Sequence, residues 1–195
     1  MVLGLDCDGV FCNFSTGYAK LLTEETGITF PDYSQIEPEV WYWEREAGVT
    51  KEQEARVWGR IKSDKAFWLD LHPHEGAVGF LEDLDLTEHE VYFITDRPGY
   101  RSQHQTANWL KAHLKNIDPA VIISRNGKGS VCKALGIDVY LDDKPENVQD
   151  VWEKSPKTAC YMLKKPYNKE LYSMDKAVES LEEFGWKAKL WEEGI

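Results

Sequence analysis

Short apolar runs punctuate this chain: VLGL (2–5), VYFI (91–94), AVII (120–123), VYL (139–141) and ACYML (159–163). Each is rich in β-branched or aromatic residues and predicts a strand covered on both faces. Between the later runs the period changes. Ala107, Leu110 and Leu114 recur at helical spacing within 100–114, and 129–135 and 145–153 read as shorter helices. Strands alternating with helices predict βαβ units, hence an α/β fold with a three-layer, Rossmann-like parallel sheet.

Residues 13–72 break the alternation. They contain no clear strand but hold two helical patterns, FSTGYAKLLTEETG and TKEQEARVWGRIKSDKAFW. Thr50 and Gln53 have the spacing of a capping box. Pro31 and Pro38 punctuate the middle. The expectation is a small helical cap at 13–72, inserted after the first strand. The α/β core then comprises 1–12 and 73–195, with HPHEGA (72–77) returning the chain and FLEDLDL (80–86) forming a core helix.

The strand ends carry the chemistry. Asp6 and Asp8 follow the first run, and Thr95-Asp96-Arg97-Pro98 follows the second. Ser124 to Lys128 follows the third, and Asp142 and Asp143 follow the fourth. Open α/β sheets bind ligands beyond the carboxyl ends of their strands, so neighbouring strands would make these groups converge. A phosphate monoester is dianionic and repels a carboxylate. Mg²⁺ between them removes that repulsion and polarises the phosphoryl group. It needs only one or two carboxylates. A lysine and a threonine hydroxyl complete such a cradle. One acid can attack phosphorus. A second can protonate the leaving alkoxide and later activate water.

Charge and composition narrow the partners. The net charge of −11 is a poor footprint for a long nucleic acid, which is bound through Lys and Arg, but suits a divalent metal and a small phosphorylated ligand. No apolar run approaches the ~18 residues of a membrane span. The N-terminus has no basic flank and meets Asp6 early, so no signal peptide is expected. Cys7, Cys12, Cys132 and Cys160 form no C-x-x-C pair, and a reducing, cytoplasmic setting is expected.

DCDGV, ITDRP, a lysine opening a helix and LDDKPENV together resemble, in order, the four motifs of the haloacid dehalogenase-like phosphohydrolases. That resemblance implies Asp6 as nucleophile and Asp8 as acid/base, with the Asp8 backbone carbonyl on the metal. It implies Thr95 on phosphate, Lys128 on the developing charge, and Asp142 as a Mg²⁺ ligand beside Asp6 and Asp8, with Asp143 in support; Asp96, beside Thr95, is a further supporting candidate. Phosphatases of the superfamily have the second acid that its dehalogenases lack. Within it, DCDGVFCNF and the cap position are similar to the 5′(3′)-deoxyribonucleotidase-like group, and LKKPYN (163–168) to a late segment of related members. Asp96 stands where that group usually has Ser or Gly.

Each residue also has a plainer reading. Lys133, within the same helix, competes with Lys128 as the motif lysine. Arg97 either contacts substrate or lies on the surface beside Pro98. His72 and His74 lack a third ligand nearby and are read as structural. Most cap aromatics, Phe14, Tyr18, Trp41, Tyr42, Trp43, Trp58, Phe67 and Trp68, are expected to fill the cap's own core. Phe14, Trp41 and Trp43 are the candidates to face substrate, the two tryptophans on one side if their segment is extended. Cys7 has no Arg six positions on, as a cysteine phosphatase needs. NGKGS (126–130) has Gly129 where a Walker A loop needs Ser or Thr. The expected function is a Mg²⁺-dependent phosphomonoesterase acting on nucleoside monophosphates. The alternatives are a phosphatase for another small metabolite or a nucleic-acid 3′-phosphate end, and a catalytically silent phosphate-binding protein.

Overall fold

The computed structural model describes residues 1–83, 89–114, 118–171 and 175–194. Its strands are β1 (Val2–Leu5), β2 (Glu90–Thr95), β3 (Ala120–Ile123), β4 (Val139–Asp142), β5 (Ala159–Leu163) and β6 (Ala177–Val178). They form one six-stranded sheet in the order β3-β2-β1-β4-β5-β6. Every pairing is parallel. β1 lies centrally, with Leu3 opposite Val91 of β2 on one side and Val139 of β4 on the other.

Alternation along β4 divides the core into two layers. Val139 and Leu141 pack with Leu3, Leu5 and Phe93. Helix α5 (Ser102–His113) brings Trp109 and Leu110 to that face, and α8 (Leu181–Glu193) brings Phe184 and Ala188. Tyr140 points the other way, with Ile94 and Met162. There α6 (Gly129–Leu135) supplies Cys132, and α7 (Pro145–Lys154) supplies Val148 and Val151. Gly4 makes room for the Tyr140 ring, since a Cβ at Gly4 would lie 2.6 Å from it.

The connection after β1 becomes the cap. Phe11 and Cys12 both donate their backbone N–H to the Cys7 carbonyl, closing a tight turn that Gly9 permits with φ 78°. Asn13 then caps α1 (Phe14–Thr26) by accepting from the Thr16 N–H at 3.0 Å. Short α2 (Trp43–Glu46) and α3 (Lys51–Ser63) follow, and the Thr50–Gln53 capping box is formed. The chain returns beside its exit: Asn13 N–H donates to the His72 carbonyl and His74 N–H to the Phe11 carbonyl, both 2.8 Å. Leu22, Val57 and Ile61 of the cap join the cluster that contains Leu3 and Leu5.

The structure departs from the sequence pattern in three places. The helix expected at 80–86 begins earlier, as α4 (Ala77–Asp83), and residues 84–86 lie outside the described residues. β6 is too short to show a period. α8 is capped by Ser180, whose side chain accepts from the Glu183 N–H at 3.1 Å, a cap readable as Ser-Leu-Glu-Glu. Among the described residues no helix is long and apolar enough to cross a membrane.

Candidate active site

The parallel register delivers the strand ends to one edge. Asp6 follows β1, Thr95 ends β2 and Asp142 ends β4. Lys128, just before α6, is buried there and donates through Nζ to Asp6 Oδ1 and, at 2.8 Å, to Asp142 Oδ2. Lys133 is exposed on α6, so geometry separates the two candidate lysines. Asp142 is held from other sides by the Tyr140 hydroxyl at 2.7 Å, Asn147 Nδ2 at 3.1 Å and the Lys144 N–H at 2.9 Å. Asp143 accepts from the Tyr167 hydroxyl, and Asn168 Nδ2 donates to the Asp143 carbonyl at 2.7 Å.

Asp6, Asp142 and Asp143 each place a carboxylate oxygen within 4.8 Å of the others, all buried. Burial pushes the Asp6 carboxyl up despite Lys128, and Asp142 and Asp143 push it further. Burial, then Asp142, pushes Asp143 up to about 7, partly offset by the Tyr167 hydrogen bond. Burial pulls Lys128 down, but Asp142 and Asp6 outweigh it and hold the ammonium above its usual range. Several acids around one cation leave uncompensated negative charge. Such a donor set fits a hard divalent cation with oxygen ligands. Sequence reasoning gave Asp143 only a supporting place, yet its carboxylate joins this cluster.

The Asp8 side chain turns elsewhere. Arg97 Nη2 donates to Asp8 Oδ1 at 2.8 Å and Nε to Oδ2 at 2.9 Å, and the Thr95 hydroxyl reaches Oδ2 at 3.4 Å. Arg97 is fully buried, donates through Nη1 to the Thr106 hydroxyl at 3.0 Å and lies 5.0 Å from the Trp68 ring centre. The surface reading of Arg97 does not hold. It is off the surface and outside the cleft wall, because its charge is satisfied by Asp8 behind that wall.

A cleft of about 320 Å³ runs from Asp6, Asp8, Thr95, Asp96, Lys128 and Asp143 to the cap. Phe14 lines it and stacks near-parallel on Tyr18, Trp58 and Trp68, with ring centres 5.1, 5.7 and 5.9 Å away. Trp41 and Trp43 also line it, but their segment is a turn entering α2, so alternation does not relate them. Trp43 is wedged between Phe30 and Tyr33, at 5.1 and 4.6 Å. Trp41 stands at the rim, edge-on to Tyr167 at 5.2 Å. Tyr140, Asn147 and Tyr167 were not foreseen. Tyr140 carried a signal: on a strand, the residue two before Asp142 shares its face.

The model of the family "5′ nucleotidase, deoxy (Pyrimidine), cytosolic type C protein" matches residues 1–187. A protein of Oceanobacillus iheyensis named "Putative nucleotidase" is 27% identical over 131 residues, 66% of this chain and 68% of that one. A Chlorobaculum tepidum protein named "Putative 5′(3′)-deoxyribonucleotidase" is 24% identical over 170 residues, 83% of this chain and 78% of that one. Among solved structures, a haloacid dehalogenase-like hydrolase from Streptococcus pneumoniae superposes with a TM-score of 0.60 at 12% identity, covering 95% of this chain and 97% of that one. A haloacid dehalogenase family hydrolase from Deinococcus radiodurans, solved with bound phosphate and sodium, gives 0.58 at 14%, covering 99% and 96%. The fold is thus haloacid dehalogenase-like, and the chain belongs to the cytosolic type C 5′-nucleotidase family, a phosphoric monoester hydrolase.

Proposed function

We propose that the chain hydrolyses (deoxy)nucleoside monophosphates with Mg²⁺, through a phosphorylated Asp6. The observation that carries this reading is Lys128 bridging Asp6 and Asp142 at the floor of a cleft whose cap end is aromatic. One end suits a phosphate and the other a flat apolar ring. Asp6, Asp142 and Asp143, with the Asp8 carbonyl, would hold the ion, which when bound polarises the phosphoryl group and screens its charge.

In this reading an Asp6 carboxylate oxygen attacks phosphorus while the ester P–O bond breaks. The Asp8 carboxyl gives its proton to the leaving alkoxide. The resulting Asp8 carboxylate takes a proton from water, whose oxygen attacks the same phosphorus and frees inorganic phosphate and Asp6. Lys128 stays charged throughout because its acidic partners outweigh its burial. Thr95 supports the phosphoryl oxygens. The family description, "cytosolic", supports a cytoplasmic location.

Phosphate release measured across nucleoside monophosphates, sugar phosphates, phosphorylated DNA ends and an aryl phosphate tests the proposal. Turnover should be highest with a nucleoside monophosphate, stop with EDTA and vanish in Asp6→Asn. A sugar phosphate preferred over every nucleotide, or an active Asp6→Asn, would refute it.

A further inference from the structure

The cap end of the cleft is not purely apolar. Glu44, on α2, is buried in its wall. A buried carboxylate normally has a hydrogen-bonded cation. The neighbouring Arg45 is committed elsewhere: it bonds Glu54 through Nη2 at 3.2 Å and Nε at 3.3 Å, and its guanidinium lies 4.1 Å from the Tyr42 ring centre. Its approach to Glu44 is 3.9 Å, beyond a hydrogen bond. Burial accordingly pushes the Glu44 carboxyl up.

A second polar group in the same wall lacks an acceptor. Tyr18 is buried, and its hydroxyl has no acceptor: the nearby Trp58 indole N–H can only donate to it. A buried phenol usually finds one, and leaving it unpaired is costly. The cleft thus presents a carboxylate that accepts from its own backbone N–H but has no cation at hydrogen-bond distance, and a hydroxyl without an acceptor. Both are framed by the Phe14, Trp58 and Trp68 rings. A nucleobase edge carries N–H donors beside ring-nitrogen or carbonyl acceptors, on a flat apolar body.

We propose that Glu44 and Tyr18 read the nucleobase: Glu44 accepts an N–H of the base edge, and the Tyr18 hydroxyl donates to the adjacent acceptor. This rests on the nucleotidase reading of the same cleft. It makes Glu44 a specificity residue, remote from the phosphoryl chemistry. A hydrogen bond to a charged group is worth roughly tenfold or more in discrimination.

The test compares kcat/KM for the best nucleoside monophosphate, its counterpart with the edge N–H methylated, and p-nitrophenyl phosphate, which has no base. Wild type should lose about tenfold or more on methylation. In Glu44→Leu, the nucleotide-to-aryl-phosphate ratio should fall by a similar factor, and the penalty for methylation should shrink severalfold. Glu44→Gln, which keeps a neutral acceptor, should fall between. Tyr18→Phe removes only a hydroxyl that lacks an acceptor, so the cap should fold, and the ratio should drop severalfold. Unchanged ratios in Glu44→Leu and Tyr18→Phe, with wild type turning over nucleotides, would overturn the base-reading role alone. Aryl phosphate hydrolysis without any nucleotide turnover would overturn it together with the nucleotidase reading.

Discussion

Arg97 holds Asp8 by both carboxylate oxygens, with Nη2 2.8 Å from Oδ1 and Nε 2.9 Å from Oδ2. The arginine is fully buried beneath Trp68, a residue of the cap's return path that also donates its indole N–H to the Pro98 carbonyl at 3.0 Å. The side chain proposed as acid and base is therefore oriented from behind, by a residue that does not line the cleft.

Removing that arginine should damage stability and rate together. Arg97→Met leaves Asp8 without its partner and should lose about 3–5 kcal/mol of stability, the usual consequence of breaking a buried pair from one side. Arg97→Lys keeps the charge but loses the fork, and should recover only part of both. Urea denaturation and kcat measured on the same preparations check this. Wild-type stability in Arg97→Met would contradict the pairing.

Gly9 should tolerate no side chain. An added Cβ would lie 2.1 Å from Asp143 Oδ2 and 2.9 Å from the Tyr167 hydroxyl, at φ 78°. Gly9→Ala should lose phosphatase activity and Mg²⁺ affinity. Gly27→Ala, at φ 74° with open space around the new atom, isolates backbone strain of about 1–2 kcal/mol and should keep its kcat. Steady-state kinetics and calorimetry of both variants separate the clash from the strain.

Mg²⁺ should raise the melting temperature. An ion present at about 100 times its dissociation constant adds about 2.7 kcal/mol to the folded state. For a chain of this length that is a rise of roughly 5–10 °C. Asp142→Asn should abolish the rise, and EDTA should reverse it in wild type, as scanning fluorimetry would show.

His74 should make stability fall in mild acid. Burial, then Lys165, pulls its pKa down from 6.5 to about 4, against the opposing pull of Glu37 and Asp8. Between those values the unfolded chain binds the extra proton, so stability rises with pH there. The contribution, about 3 kcal/mol, is complete above pH 6.5 and lost as pH falls toward 4. His74→Gln should flatten that part of the stability–pH curve, measured by denaturant titration at several pH values.

Much of the molecule was legible in the chain. Runs such as VYFI and VYL announce strands because a sheet covered on both faces admits few polar residues. That Asp6, Thr95 and Asp142 meet at one edge was legible because the ends of neighbouring parallel strands share that edge. Thr50 and Gln53 were legible because a capping box is local. Arg97 was not, since burial at that position depends on Asp8, Thr106 and Trp68 arriving from distant segments.

The order of residues alone determined the alternating core, the cap after β1 and the acids and threonine that follow its strands, because periodicity and strand ends are short-range properties. Only the tertiary structure decided that Lys128 rather than Lys133 meets Asp6, that Asp143 joins the acid cluster while Asp8 turns to Arg97, and that Glu44 and Tyr18 face the cleft. Those outcomes depend on which charges share a buried volume, and that volume exists only once β1, β2, β4 and the cap have packed.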